Sequence, residues 1–315
     1  MDSNYPDHPE HPTTRQPNKA LLARAWCHRH ANLYLSRAPL NGYTARFALE
    51  PVVNLARLRI RAGDGDGAHN LLTDLYNAII SGRPVVVDEL ELHPRQLPAD
   101  TGELDQNLGR LRSVLLSDGT RALTLAGRWA DALTHVRYYD GIGPTLLDGR
   151  QVAVVAHLTQ GDSPASAAIL RHTQIAQPWE QAVYDLLQNW HATTVGDLPP
   201  TDHTDLIERL PGIPSTAGLR VFRIRLSLTA LDLATDVSPT LAKDLVNRLI
   251  SDVIRDEDAN PARDLLGHPA VDREHHRALR QLVEASGLGL GYLPDAAHKL
   301  LSSALDLADA AIHPR

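Results

Sequence analysis

A glycine-led turn recurs along this chain about every 34 residues. Gly127-Arg128-Trp129-Ala130-Asp131-Ala132 closes one apolar segment and opens another. Gly161-Asp162-Ser163-Pro164-Ala165-Ser166 does the same 34 residues further on, and Gly196-Asp197-Leu198-Pro199 follows 35 after that. Gly63 to Ala68 has the same shape earlier in the chain. A fixed period of this size marks stacked supersecondary units, each too small to bury its apolar face alone. The period constrains the architecture and points to binding. It names no ligand.

Composition agrees with helices. Hydrophobic residues make up 43% of the 315-residue chain, but aromatics only 4%, with two Phe in total. A core of Leu, Ala and Val suits close-packed helices better than sheets, which favour aromatic and β-branched residues. The net charge of −7 argues against strong non-specific affinity for nucleic acid, and no direct DNA binding is expected. Arginine replaces lysine almost throughout (only Lys19, Lys243 and Lys299 remain), as a GC-rich genome such as an actinobacterial one produces. Cys27 is the single cysteine, so no intrachain disulfide forms, which fits a reducing cytosol. Residues 1–17 are polar, hold four prolines and have no apolar h-region; they read as a disordered tail rather than a secretory signal. No run of 18 apolar residues exists, so no membrane span and a cytoplasmic location are expected.

The apolar periodicity predicts helices over 18–36, 43–62 and 68–80, then 104–126, 129–139, 148–160, 165–176, 178–195 and 203–210. Further helices are expected at 217–235, 239–255, 270–286 and 294–311. Pro51 marks a kink or a start in the second. Two irregular connections interrupt the series: 81–103, a long connection with three prolines and the β-prone Val85-Val86-Val87, where one short helix or extended piece is expected, and 256–269, a polar loop with at most a short helical turn. Residues 18–315 thus read as one α-helical repeat domain.

The turn chemistry supports these boundaries. Ser163-Pro164 and Ser238-Pro239 each offer a hydroxyl N-cap followed by proline at the first helical position, where no amide hydrogen is missed. Five residues after each turn start comes a small residue, Ala68, Ala132, Ser166 or Ala296, which lets two helices approach closely.

Ala126-Gly127-Arg128-Trp129-Ala130-Asp131-Ala132-Leu133 resembles the junction between the two helices of a tetratricopeptide repeat, with its glycine, an aromatic two residues on and an alanine three beyond that. Roughly residues 43–310 resemble degenerate units of this family, most clearly 110–196. The small residue expected seven positions before the turn is Ala56 in one unit but Thr120 and Val154 in others, and the closing proline is irregular. The resemblance implies an all-α fold, a right-handed α-α superhelix of antiparallel helix pairs. The first helix of each pair would line its concave face.

Carried over from the family, the concave positions are Asn54, Arg57 and Arg61, then Asp118, Arg121 and Thr124, then Gln151 and Trp190. Arginine and tryptophan are favoured at binding hot spots, and Arg57 and Arg121 have the geometry to receive a carboxylate in bidentate fashion. Asn54 and Arg57 do not reproduce the paired Lys and Asn of family members that clamp chaperone C-termini. The resemblance implies a non-catalytic adaptor or sensor holding a protein or peptide in its groove, with no cofactor.

No catalytic signature competes. There is no GxxxxGK[ST] loop, His-Glu-x-x-His pair or GxSxG elbow. Gly287-Leu288-Gly289-Leu290-Gly291 reads as a helix-terminating turn. Cys27 and His30 share a helical face but have no second pair to complete a metal site. His275 and His276 are adjacent and point apart. Arg220, Arg223 and Arg225 form a basic run suited to salt bridges. Two rival expectations stand beside the adaptor. One is an enzyme or enzyme subunit of bacterial specialised metabolism with a pocket between helices, which would show as a closed cavity with convergent His, Arg and Asp. The other is an oligomerisation module with an exposed apolar end.

Overall fold

The computed structural model describes residues 18–196, 200–213, 216–234 and 238–312. The expected tail at 1–17 and the Asp197-Leu198-Pro199 part of the third turn lie outside the described residues, as do Pro214 and Thr235 at two expected element ends.

The described chain is all-α apart from one short hairpin. Helices α1 (Lys19–Leu35), α2 (Gly42–Arg61) and α3 (Gly65–Ser81) precede the hairpin. Then come α4 (Thr101–Val114), a π-helical turn (Leu115–Gly119), α5 (Thr120–Leu125), α6 (Trp129–Tyr138), α7 (Asp148–Thr159), α8 (Ser163–Arg171) and α9 (Pro178–Val195). The last part holds α10 (Pro200–Arg209), α11 (Arg220–Leu233), α12 (Pro239–Arg255), α13 (Ala259–Leu266), α14 (Arg273–Ala285) and α15 (Asp295–Ile312). From α1 to α3, and again from α5 to α11, each helix packs on the next along the chain.

The recurrent turns have one physical cause. Gly63, Gly127, Gly161 and Gly196 all sit in the left-handed region, at φ of 84°, 72°, 75° and 79°. Side-chain-bearing residues adopt that conformation at a cost, and glycine does not. Two turns are then capped by aspartate. Asp64 accepts from the Gly67 amide at 2.8 Å and Asp162 from the Ala165 amide at 3.2 Å. The N-cap of α8 is therefore Asp162, one residue before the expected Ser163. Ser238 does hold the N-cap position of α12, but its hydroxyl makes no capping bond. Ala68, Ala132 and Ser166 have no exposed surface, as close helix approach requires, whereas Ala296 is exposed.

Pro51 neither starts nor ends α2. The helix runs through it and buries it. Around it Val52, Leu55, Leu72, Leu75 and Leu115 form one core, each worth about 1.5–3 kcal/mol on leaving water. A larger core spans α7 to α14, built on Leu206, Ile207, Ile224 and Leu249. Trp129 packs against this core and also against a small cluster around Leu123, Leu133 and Val136.

Both irregular connections contain regular structure. Within 81–103, strands β1 (Val85–Val87) and β2 (Leu90–Leu92) pair antiparallel, with Val87 opposite Leu90. Asp88 and Glu89 turn between them at φ of 49° and 71°, the left-handed pair that a two-residue hairpin demands. The Asp88 carboxylate accepts from Arg24 at 2.9 Å, His28 at 3.0 Å and Arg59 at 2.9 Å, which ties the hairpin to α1 and α2. The segment 256–269 is mostly α13 rather than loop. Its polar composition conceals a buried face of Ala259, Pro261, Ala262 and Leu265.

The final helix returns to the first. α15 packs on α1, with Arg29 bonded to Asp306 at 2.7 Å and Trp26 stacked on His298 at 5.8 Å. No residue of α15 is buried, and Leu300 and Leu307 stand 71% and 72% exposed. No helix is long and apolar enough to cross a membrane among the described residues.

Candidate functional site

The residues expected from sequence to line a binding surface do not all fall together. Asp118, Arg121, Thr124 and Gln151 line one groove of about 440 Å³. Its walls are the π-helical turn and α5 on one side and α7 on the other, with Trp129 of α6 between them. Val152 and Val155 give it an apolar wall, and Ser117, Thr120 and Asp148 complete it.

The π-helical turn sets this geometry. It carries one more residue per turn than an α-helix, which upsets the usual pairing of backbone carbonyls. His135 of α6 bonds through Nε2 to the Leu115 carbonyl at 2.8 Å. The Thr120 hydroxyl donates to the Leu116 carbonyl. Gly119 leaves room for the imidazole, since a Cβ there would come within 3.0 Å of His135 Nε2. The widened turn carries Ser117 and Asp118 at the groove edge.

Asp118 also links this groove to α2. Arg57 Nε donates to it at 2.8 Å, while Arg57 Nη1 reaches Glu50 and Asn54, each at 3.0 Å. The Arg57 guanidinium is thus committed within the protein rather than open to a carboxylate. Asn54 is occupied by the same contact. Arg121 is exposed and forms no salt bridge among the described residues, which leaves it as the groove's available cation. Asp148 supplies the opposite charge from α7. Gln151 is held by its own bond to the Leu146 carbonyl at 2.8 Å.

Two residues lie elsewhere. Arg61 is exposed at the end of α2, away from the lining of this groove. Trp190 is half-buried against the α7–α14 core, outside the lining of this groove. The sequence reading passed over Trp129, Asp148, Val152 and Val155. A signal was present: Asp148, Gln151, Val152 and Val155 follow the i, i+3, i+4, i+7 spacing of one helix face. Trp129 is the aromatic of the turn motif itself.

The remaining candidates are structural. Cys27 is half-buried beside the first core, and burial raises its thiol pKa. Burial lowers the pKa of His30, whose ring lies 5.5 Å from Tyr34. His275 bonds Asp272 at 2.6 Å. The basic run is spent on ion pairs, Arg220 with Asp256, Arg223 with Asp252 and Arg225 with Asp264. Gly287, at φ 73°, follows the end of α14 as a terminating turn.

A second cavity of about 420 Å³ lies between α8, α9 and α10. Arg171, Asp185, His191, Asp205 and Arg209 converge on it. His191 Nδ1 is 2.9 Å from the Ser166 hydroxyl, and the buried Asn189 keeps its Oδ1 without a partner. Compared with family models, curated proteins and solved structures, the chain matches none.

Proposed function

We propose that this chain is a non-catalytic, tetratricopeptide-like binding module that holds a protein or peptide segment in the groove between α5 and α7. One observation carries the reading: Asp118, Arg121, Thr124 and Gln151, from units about 30 residues apart, line a single open groove. Its apolar wall of Val152, Val155 and Trp129 suits one or two hydrophobic side chains of a ligand. Arg121 and Asp148 suit a carboxylate and a cation on that ligand, giving it a direction. The left-handed turn glycines and the packing of successive helices from α1 to α3 and from α5 to α11 support a superhelix of antiparallel pairs.

Affinity capture from native lysate, read by mass spectrometry, tests the reading. A partner retained by the native chain and lost by Arg121→Glu, which circular dichroism shows to be folded, supports it. A capture profile identical for the two forms rejects it.

A second reading has one observation in its favour. The cavity between α8 and α10 gathers His, Arg and Asp, the pattern expected of an enzyme or enzyme subunit of bacterial metabolism. Its test is a thermal-shift screen with small metabolites, in which Arg171→Ala abolishes a response and Arg121→Glu does not.

A further inference from the structure

A third groove, of about 490 Å³, opens where the end of α1 meets the start of α2, and it shares no lining residue with the groove between α5 and α7. Three aromatic side chains, Tyr34, Tyr43 and Phe47, line it together with Arg37, Pro39 and Ile312. Phe47 stacks on Tyr34 with 6.0 Å between ring centroids and meets Tyr43 edge to face at 4.9 Å. Tyr43 is nevertheless 71% exposed, so the aromatic surface continues outward from the packed rings. Grooves walled by aromatic rings suit prolines held in a polyproline II helix, whose rings lie flat on such faces and whose conformation is fixed in advance.

The chain carries a segment of that kind. Residues 6–12 read Pro-Asp-His-Pro-Glu-His-Pro. A polyproline II helix turns once in three residues, so Pro6, Pro9 and Pro12 would share one ridge and Asp7 and Glu10 a second. Arg37 offers the acidic ridge a cation in the groove. The reach also matches. Asn18 caps the start of α1, and Tyr34 stands near the end of that 17-residue helix, about 25 Å away. At about 3.1 Å per residue, Pro12 reaches about 19 Å from Asn18 and Pro6 about 37 Å. The three prolines thus bracket the distance to the aromatic rings.

We propose that residues 6–12 dock in polyproline II form on Tyr34, Tyr43 and Phe47 of the same chain. The tether favours this occupant over a free peptide, because a short linker presents it at an effective concentration on the order of millimolar. A contact of modest intrinsic affinity is then enough. Docked there, the segment covers the exposed face of Tyr43 and straps the end of α1 to the start of α2. The proposal is independent of what the groove between α5 and α7 binds.

Photocrosslinking within the full chain tests this. Benzoylphenylalanine replaces His8, which lies on neither the proline nor the acidic ridge, and the irradiated protein is digested and mapped by mass spectrometry. The expected result is a crosslink within one chain to residues 34–47. Its yield is expected to fall at least fivefold with Tyr43→Ala, and equally when Pro6→Ala, Pro9→Ala and Pro12→Ala are combined. Tyr43 is exposed, so its variant should fold, which circular dichroism checks, and the proline variant leaves every groove residue intact. No crosslink, a crosslink that joins two chains, crosslinks scattered outside 34–47, or a yield unchanged in either variant overturns the proposal.

Discussion

Arg57 Nε donates to Asp118 Oδ2 at 2.8 Å, so a helix and a π-helical turn 61 residues apart in sequence are joined by one ion pair. The Asp118 side chain is 15% exposed, so its charge is only partly solvated. The pair orders the edge of the groove rather than binding its ligand.

Removing either partner is expected to cost about 1.5 kcal/mol, the low end of the range for a hydrogen bond to a charged group, because Arg57 is 36% exposed. The double variant Arg57→Ala with Asp118→Ala is expected to cost about 1 kcal/mol less than the sum of the two, because each single variant strands its partner. Urea unfolding measures this. Simple additivity would mean the two side chains do not stabilise each other.

Asp88 gives the fold an acid sensitivity. Burial alone would raise its carboxyl pKa, but hydrogen bonds from His28, Arg59 and Arg24 prevail and bring it down to about 2, from 3.8. A group whose pKa falls on folding contributes stability that is fully present above its unfolded pKa. That stability is lost as pH falls from 3.8 toward 2. Asp88→Asn, which tolerates the left-handed turn, is expected to cost roughly 2 kcal/mol at pH 7. The gap to the native chain should shrink between pH 4 and pH 2, and a gap independent of pH would refute this.

Gly65 opens α3 where it crosses α5, and a Cβ there would run into the Ala122 carbonyl oxygen. Backbone cannot yield as a flexible side chain can. Gly65→Ala is therefore expected to destabilise by about 2–3 kcal/mol, although alanine is the better helix former. Gly109→Ala, with open space around it, should be neutral or stabilising in the same thermal unfolding assay.

α15 meets α1 through the Arg29–Asp306 bond and the Trp26–His298 stack and buries no residue. Its amides are expected to exchange with deuterium well before those of α2 and α3, since local opening there exposes little apolar surface. Protection in α15 equal to that of α3 would indicate that something covers Leu300 and Leu307, as the oligomerisation reading requires.

The parts of this architecture that sequence makes legible are those with a local cause. Gly63, Gly127 and Gly161 announce their turns because only a left-handed backbone fits there, and the apolar period places helices to within a few residues. What escapes is non-local. The β1–β2 hairpin depends on Asp88 meeting Arg24, His28 and Arg59, residues 29 to 64 positions away. The α13 helix, at eight residues, is too short for its period to show. The π-helical turn rests on His135, 20 residues beyond the carbonyl it satisfies. Arg57 looked open to a ligand because no spacing rule reveals that Asp118 and Glu50 already hold it. Asp118, Arg121, Thr124 and Gln151 line one groove between the π-helical turn, α5 and α7, an adjacency in space that no spacing along the chain displays.

Site-specific photocrosslinking tests the central claim most directly. A benzoylphenylalanine at Thr124, inside the groove, is compared with one at Leu21, which is 67% exposed on α1. The account predicts that the probe at position 124 captures a discrete polypeptide from native lysate, that the probe at 21 does not, and that Arg121→Glu abolishes the capture. Equal crosslinking from both positions, or capture unaffected by Arg121→Glu, would contradict it.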